Sequence, residues 1–268
     1  MEYRQVHVVA GRNPGESIYV SSNQQPSLLQ DRLKNIVRNE IYFCKTSGVP
    51  DKEYKAIISG FKKMIAEAGR RLIMKDFGYY ESNQGAYGSP DWYQNNALTN
   101  RNNGFGTQIS STAIDDLLRN EPFQRKNPHY DVMIVDRDLT TTMNDAANNF
   151  VFGYGPYPNN IISIKRFIHW FGDPTLRQIC LATIGAHEFG HNLELVGRNY
   201  DEDHGELRDG HCAGRAGACI MEQVQVSGKR TMKEQAKLLI EKEHWLCNSC
   251  IEELYFRKES LQKRGVIW

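Results

Sequence analysis

The chain has no excess charge of either sign, no long hydrophobic run, no internal repeat and few cysteines. It carries 33 Lys or Arg against 32 Asp or Glu among 268 residues, a formal net charge of +1. That balance leaves no electrostatic footprint for nucleic acid or an acidic membrane surface, and neither partner is expected. No apolar run approaches the roughly 20 residues needed to cross a bilayer. Met1-Glu2-Tyr3-Arg4-Gln5 lacks the basic and apolar regions of a signal peptide, so a cytoplasmic setting is the expectation. In that setting the six cysteines read as metal ligands before disulfides. Cys44 and Cys180 stand apart from the other four and read as small core residues. The length suits a single domain, 1–268, with a sizeable core and two lobes around a cleft. A monomer is expected.

What the chain does contain is Ala186-His187-Glu188-Phe189-Gly190-His191. Residues four apart on a helix share a face, so His187 and His191 can offer two imidazoles to one metal ion. Glu188 lies beside that face, within reach of a metal-bound water. Two ligands and a general base are the parts of a zinc hydrolase. The plainer alternative is a pair of satisfied core histidines. The surrounding pattern argues against it: Asp173-Pro174 supplies an N-cap and a proline at the first helical position. Leu176, Cys180, Thr183, His187 and His191 then fall on one stripe, widened by Ile179, Ile184 and Leu195, with Gly197 as the expected stop. Buried histidines on such a helix need partners, and a metal is one.

Elsewhere the periodicity predicts a short strand over Gln5–Ala10 and helices over Ser27–Phe43 and Tyr54–Met74. A long loop is expected from Tyr79 to Gln108, its aromatics anchoring it. A helix follows over Ser111–Arg119, then a buried strand over Asp131–Val135. Phe150–Phe152 and Ile161–Ile164 read as an antiparallel hairpin. After the motif helix, an irregular stretch runs to about Met221. Helices over Met232–Trp245 and Ile251–Leu261 close the chain.

Catalytic zinc takes three protein ligands and an open position. His211 is the favoured third ligand, with His204, Asp201 and Asp203 as alternatives. His211 adjoins Cys212, which opens the series Cys212, Cys219, Met221, Cys247 and Cys250. Four thiolates close a tetrahedron, so this second set reads as a structural zinc site that braces the segment carrying His211. Disulfides are the alternative for these four. Met221 is the candidate for a methionine turn beneath the catalytic metal.

Together these residues resemble the archaemetzincins, zinc peptidases of the metzincin clan. The resemblance rests on His187-Glu188-x2-His191, His211-Cys212, Cys219-Ile220-Met221 and Cys247-x2-Cys250. Val135–Leu139, Asn149–Gly153 and Ile162–Arg166 also look like family segments, and the likeness spans roughly Tyr130 to Leu254. Three features differ: Glu194 stands at the family glycine, the gap between the second and third histidines is longer, and Cys212 and Cys219 are further apart. The resemblance implies an α+β fold, an αβα sandwich with a mixed sheet and active-site helix. Its upper lobe would be about 1–196, its lower lobe 197–268, braced by the four-cysteine zinc. It implies two zinc ions per chain, a peptide or protein substrate, and an edge strand at Asn149–Gly153 that pairs with it. A non-catalytic zinc scaffold is the competing reading, and an amidase on a non-peptide substrate a third.

Overall fold

The computed structural model describes residues 38–81, 87–141, 150–195, 211–212, 218–222 and 231–263. In chain order the first elements are β1 (Glu40–Lys45), α1 (Asp51–Glu67), β2 (Ile73–Gly78), α2 (Pro90–Asn96), β3 (Leu98–Asn103), β4 (Gly106–Ser110), α3 (Ser111–Arg119) and α4 (Pro122–Lys126). Then come β5 (Tyr130–Val135), β6 (Leu139–Thr140), β7 (Gly153–Tyr154), β8 (Asn159–Ser163), α5 (Lys165–Trp170), α6 (Pro174–Asn192), α7 (Met232–Ile240) and α8 (Asn248–Lys263).

The central sheet is ordered β2-β1-β5-β8-β7, and a smaller sheet β3-β4-β6. Neighbours from β2 to β8 are parallel, and β7 runs antiparallel to β8 at the edge. The fold is thus a mixed α/β arrangement with a mixed central sheet. Its inner strands are apolar on both faces because both are covered. Ile41, Phe43, Val132, Ile134 and Ile162 pack with Ile57, Phe61, Leu181 and Phe189 of α1 and α6. Met133, Val135 and Ile161 pack the opposite way, against Ile109, Ile114, Leu118 and Leu139.

α6 begins as its sequence indicates. The Asp173 carboxylate accepts the Thr175 N–H at 2.9 Å, and Pro174 opens the first turn. α6 and α1 approach until their backbones touch. A Cβ on Gly60 would collide with the Ala182 carbonyl, and one on Gly185 would lie 2.7 Å from the Ile57 carbonyl oxygen. Glycine at both crossings permits that approach.

Several expected elements fall differently. Glu40–Phe43 belongs to a strand and not to the end of a helix. Hydrogen-bonded neighbours on both sides outweigh the helical spacing of Ile36, Val37 and Ile41. The remainder of that segment up to residue 37, and the expected strand Gln5–Ala10, lie outside the described residues. The Tyr54–Met74 helix stops at Glu67, just before Gly69 at a φ of 61°, and Ile73 starts β2. The expected loop Tyr79–Gln108 contains α2, β3 and β4. Its helix is signalled by Ser89-Pro90, where the Ser89 hydroxyl accepts the Trp92 N–H. Tyr93 is buried there, and Tyr87, Trp92 and Tyr93 contact edge to face, as an anchoring role requires. The hairpin before α5 is antiparallel as expected, but its first strand is Gly153–Tyr154, with Val151 contributing a single bridge to Leu139. α7 ends at Ile240 and not at Trp245.

α6 ends at Asn192, before the expected stop at Gly197, which lies outside the described residues. The Leu195 N–H bonds the Gly190 carbonyl (3.1 Å) and the Glu194 N–H the His191 carbonyl (2.9 Å), the pairing of a Schellman cap. Glu194 therefore takes a φ of 57°, where a glycine is favoured. Its carboxylate meets Arg257 of α8 at 2.8 Å. Left-handed backbone costs an L-residue about 1 kcal/mol or more. The Glu194→Ala variant keeps that strain and loses the ion pair, so Glu194→Gly should be more stable than Glu194→Ala by about 1 kcal/mol in urea denaturation. Equal stabilities would mean the cap is unstrained.

Candidate metal centre

His187, Glu188 and His191 lie on the last turns of α6, and His211 is brought against them from outside the helix. One ring nitrogen each from His187, His191 and His211 lies within 4.8 Å of the others. His187 Nε2 and His191 Nε2 are 3.1 Å apart, and the His211 ring stacks on His187 with centroids 5.1 Å apart. The His187 Nδ1 lies 2.7 Å from the Ile220 carbonyl oxygen. A carbonyl only accepts, so Nδ1 carries the proton and Nε2 presents a lone pair to the cluster.

Burial lowers the His187 pKa well below the usual imidazole range, helped by the charges of His191 and His211. Burial, then His211, brings His191 down to about 4. Both rings are therefore neutral near pH 7, the form that ligates a metal. In that state the unprotonated His187 Nε2 can accept a proton from His191 Nε2 or share a metal ion with it. Three clustered lone-pair donors fit a divalent cation such as zinc, for which Zn–N distances of ~2.0–2.1 Å place ligand nitrogens about 3.3 Å apart.

Glu188 is buried, and burial alone pushes its carboxyl up to about 8. Its carboxylate lies against the edge strand. A Cβ on Gly153 would collide with Glu188 Oε1, and a Cβ on Gly155 would come 2.9 Å from Oε2. From sequence Gly153 only ends the expected edge strand Asn149–Gly153, and the role of both glycines in clearing space for a carboxylate needs the tertiary contact. Asn192, one turn after Glu188, was not legible either. Its Nδ2 donates to Asn160 Oδ1 (2.9 Å) and the Gly155 carbonyl (3.3 Å), tying the helix to the end of the edge strand. A cleft of about 670 Å³ opens over these groups, walled by Phe150, Gly153, Tyr154, Ile184 and Gln235 among others.

The cysteines form a second, buried cluster. Sγ atoms of Cys212, Cys219, Cys247 and Cys250 lie within 4.8 Å of one another, and none forms a disulfide. Cys212 and Cys247 are 3.8 Å apart and Cys219 and Cys250 3.6 Å. A tetrahedral zinc with Zn–S of 2.3 Å has sulfurs about 3.8 Å apart. Hydrogen bonds from Cys212 and Cys219 hold the Cys247 thiol far below the ordinary range. Met221 is buried, its sulfur where a Cβ on Gly190 would fall, against the helix between Glu188 and His191. Cys180 is buried in the main core, and Cys44 packs against the apolar residues on the other face of the sheet, the group that holds Ile109, Met133 and Leu139. His204, Asp201 and Asp203 lie outside the described residues.

The two clusters share a support. The Cys212 N–H bonds the Met221 carbonyl at 2.7 Å, and the Ile220 N–H the Trp245 carbonyl at 2.7 Å. The Glu67 carboxylate at the end of α1 accepts the N–H groups of Trp245 (2.7 Å) and Leu246 (3.2 Å), just before Cys247.

One buried and two half-buried imidazoles lie beside a buried carboxyl group, and a separate tetrad of buried thiols lies behind them; each set is capable of binding a metal ion. No family model and no curated protein matches the chain. Among solved structures it is similar to the crystal structure of archaemetzincin from Methanopyrus kandleri, with 18% identity and a TM-score of 0.52. The match covers 83% of this chain and 96% of that one. It shows an archaemetzincin-like fold. No helix among the described residues is long and apolar enough to cross a membrane.

Purified zinc-loaded protein should contain two zinc ions per chain by elemental analysis. His191→Ala and His211→Ala should each reduce the count to one, and His204→Ala should leave it at two. Loss of zinc with His204→Ala but not His211→Ala would transfer the third ligand to His204.

Proposed function

We propose that the chain is a zinc-dependent peptidase of the archaemetzincin type within the metzincin clan, one catalytic domain of two lobes. One zinc would be held by His187, His191 and His211, and another by Cys212, Cys219, Cys247 and Cys250. The observation that carries this reading is the placement of Glu188. Its carboxylate is wedged between the helix that carries His187 and His191 and the backbone of an edge strand, on the wall of an open cleft. A purely structural metal site has no use for a buried carboxylate facing a cleft, and burying one is costly. That cost is the argument against a non-catalytic scaffold.

A zinc ion bound at the imidazoles would supply Lewis-acid activation of water and of the scissile carbonyl. The chain's own groups do the rest. His187 is fixed in one tautomer by the Ile220 carbonyl and so keeps Nε2 directed at the cluster. Burial alone favours the protonated Glu188 carboxyl, and the charge of a zinc at the imidazoles would favour its carboxylate, which accepts a proton from the attacking water and returns it to the leaving amine nitrogen. β7 is the last strand of the sheet, and its outer edge offers main-chain groups to an extended peptide. This edge favours a peptide over a small non-peptide amide. Gly153 and Gly155 keep the strand close enough to hold Glu188 in place. Met221 fills the space beneath Gly190 and supports the turn that carries both histidines.

Glu188→Gln should retain both zinc ions and lose peptide hydrolysis by about 10²–10⁴-fold, the usual worth of a general base. Retained turnover would remove Glu188 from that role. Gly153→Ala should also lower hydrolysis while zinc content stays at two, because its methyl occupies the carboxylate's position. Wild-type rates in that variant would mean that the strand does not position Glu188.

A further inference from the structure

Phe150 lines the cleft over the imidazoles and also a second recess of about 350 Å³. Arg101, Asn103, Phe105, Gln108 and Arg166 form much of its remaining wall. No carboxylate lines it among the described residues. Its two guanidinium groups differ in one respect.

Arg166 is fully matched. It donates to both oxygens of Asp138, from Nε to Oδ1 at 2.7 Å and from Nη2 to Oδ2 at 2.9 Å. Asn103 Nδ2 and Gln108 Nε2 also donate to Asp138, at 2.7 and 2.9 Å. The Arg166 guanidinium lies 3.4 Å from the centre of the Phe150 ring and 4.4 Å from that of Phe105. It is a fixed, neutralised part of the wall, and it holds Phe150 between the two cavities.

Arg101 has no such carboxylate among the described residues. It is half-buried on β3, and its Nη1 donates to the Thr140 hydroxyl at 3.2 Å. No carboxylate lies within ion-pair distance of it among the described residues. A cation withdrawn partly from water without an anion is unfavourable, and an anionic ligand group would offset that. Thr140 precedes Thr141, which lines the main cleft, so Arg101 is attached to the cleft wall. With Arg166 neutralised by Asp138, the recess carries one net positive charge among amides and aromatic rings.

We propose that this recess is a substrate subsite for an acidic side chain of the peptide, or its terminal carboxylate, with Arg101 as the residue that reads it. The proposal rests on the peptidase reading. A peptide paired antiparallel to Gly153–Tyr154 runs toward Phe150 and leaves the strand edge before Val151, whose N–H is taken by the Leu139 carbonyl, so residues C-terminal to the scissile bond approach the recess. Phe150 precedes Gly153 by three residues, about 10 Å at ~3.3 Å per residue. The acidic group therefore belongs two or three residues beyond the bond that is cut. A guanidinium fork and a carboxylate make a paired, charge-assisted contact, so specificity for an acid over its amide follows from Arg101.

The test has two arms, each on zinc-loaded full-length protein. In the first, fluorescent peptides that differ only by Glu against Gln are titrated onto the Glu188→Gln protein, with and without Arg101→Gln. The Glu peptide should bind about tenfold more tightly than the Gln peptide, less so at high salt, and Arg101→Gln should abolish the difference. In the second, wild-type protein digests a random peptide library, which should show Asp or Glu enriched two or three residues after the cut. Arg101→Gln should erase the enrichment. Equal binding of Glu and Gln peptides, or discrimination that survives Arg101→Gln, overturns the subsite. A library left uncut while the binding difference holds would instead overturn the peptidase reading and leave the acidic site standing. A fall in melting temperature with Arg101→Gln and no change in discrimination would make the residue purely structural.

Discussion

The hydrogen bond from His187 to the Ile220 carbonyl is the contact on which both candidate metal sites depend. It fixes the tautomer of one imidazole. It also fastens the motif helix to a segment whose neighbouring residues, Cys219 and Met221, serve the other cluster and the helix underside. The Met221 carbonyl in turn takes the Cys212 N–H, and Cys212 follows His211 directly. A short ladder therefore places the third imidazole and two of the four thiols together. Neither site can be assembled with the ladder displaced, because each would lose donors to the same movement.

The helix itself is positioned by steric contact more than by polar bonds. Glycines at 60 and 185 let α1 and α6 touch, and the helix pair packs on the sheet through Phe61, Phe189 and Ile184. The same device recurs on the other side of the motif. Gly153 and Gly155 admit the Glu188 carboxylate, and Gly190 admits the Met221 sulfur. Interiors packed to this density transmit displacement, so a methyl group at any of these positions is felt at the imidazoles.

Much of the site was legible in the sequence because ligand spacing on a helix is a local property. His187, Glu188 and His191 follow from one turn, and Asp173-Pro174 fixes where that helix begins. His211 and the four cysteines were identified as a set by spacing and chemistry, and they converge in space. The fold was legible where local and global preferences agree, as in the helix Ser111–Arg119 and the strand read over Asp131–Val135, which begins one residue earlier at Tyr130. It was misread where they conflict. Glu40–Phe43 has helical spacing but lies between two parallel strands. Leu98-Thr99-Asn100-Arg101-Asn102-Asn103 is polar and reads as loop, yet its main chain pairs with β4. Glu194 supplies the helix stop expected of a glycine because Arg257 compensates for part of its strain. None of these outcomes is encoded within a ten-residue window.

One ladder of backbone bonds supports two candidate metal sites of different ligand chemistry. Anomalous diffraction at the zinc absorption edge, from crystals of zinc-loaded protein, tests it most directly. Two peaks are predicted: one bounded by His187, His191 and His211, and one at the centre of Cys212, Cys219, Cys247 and Cys250. A single peak, or a peak bound by other residues, would contradict the account.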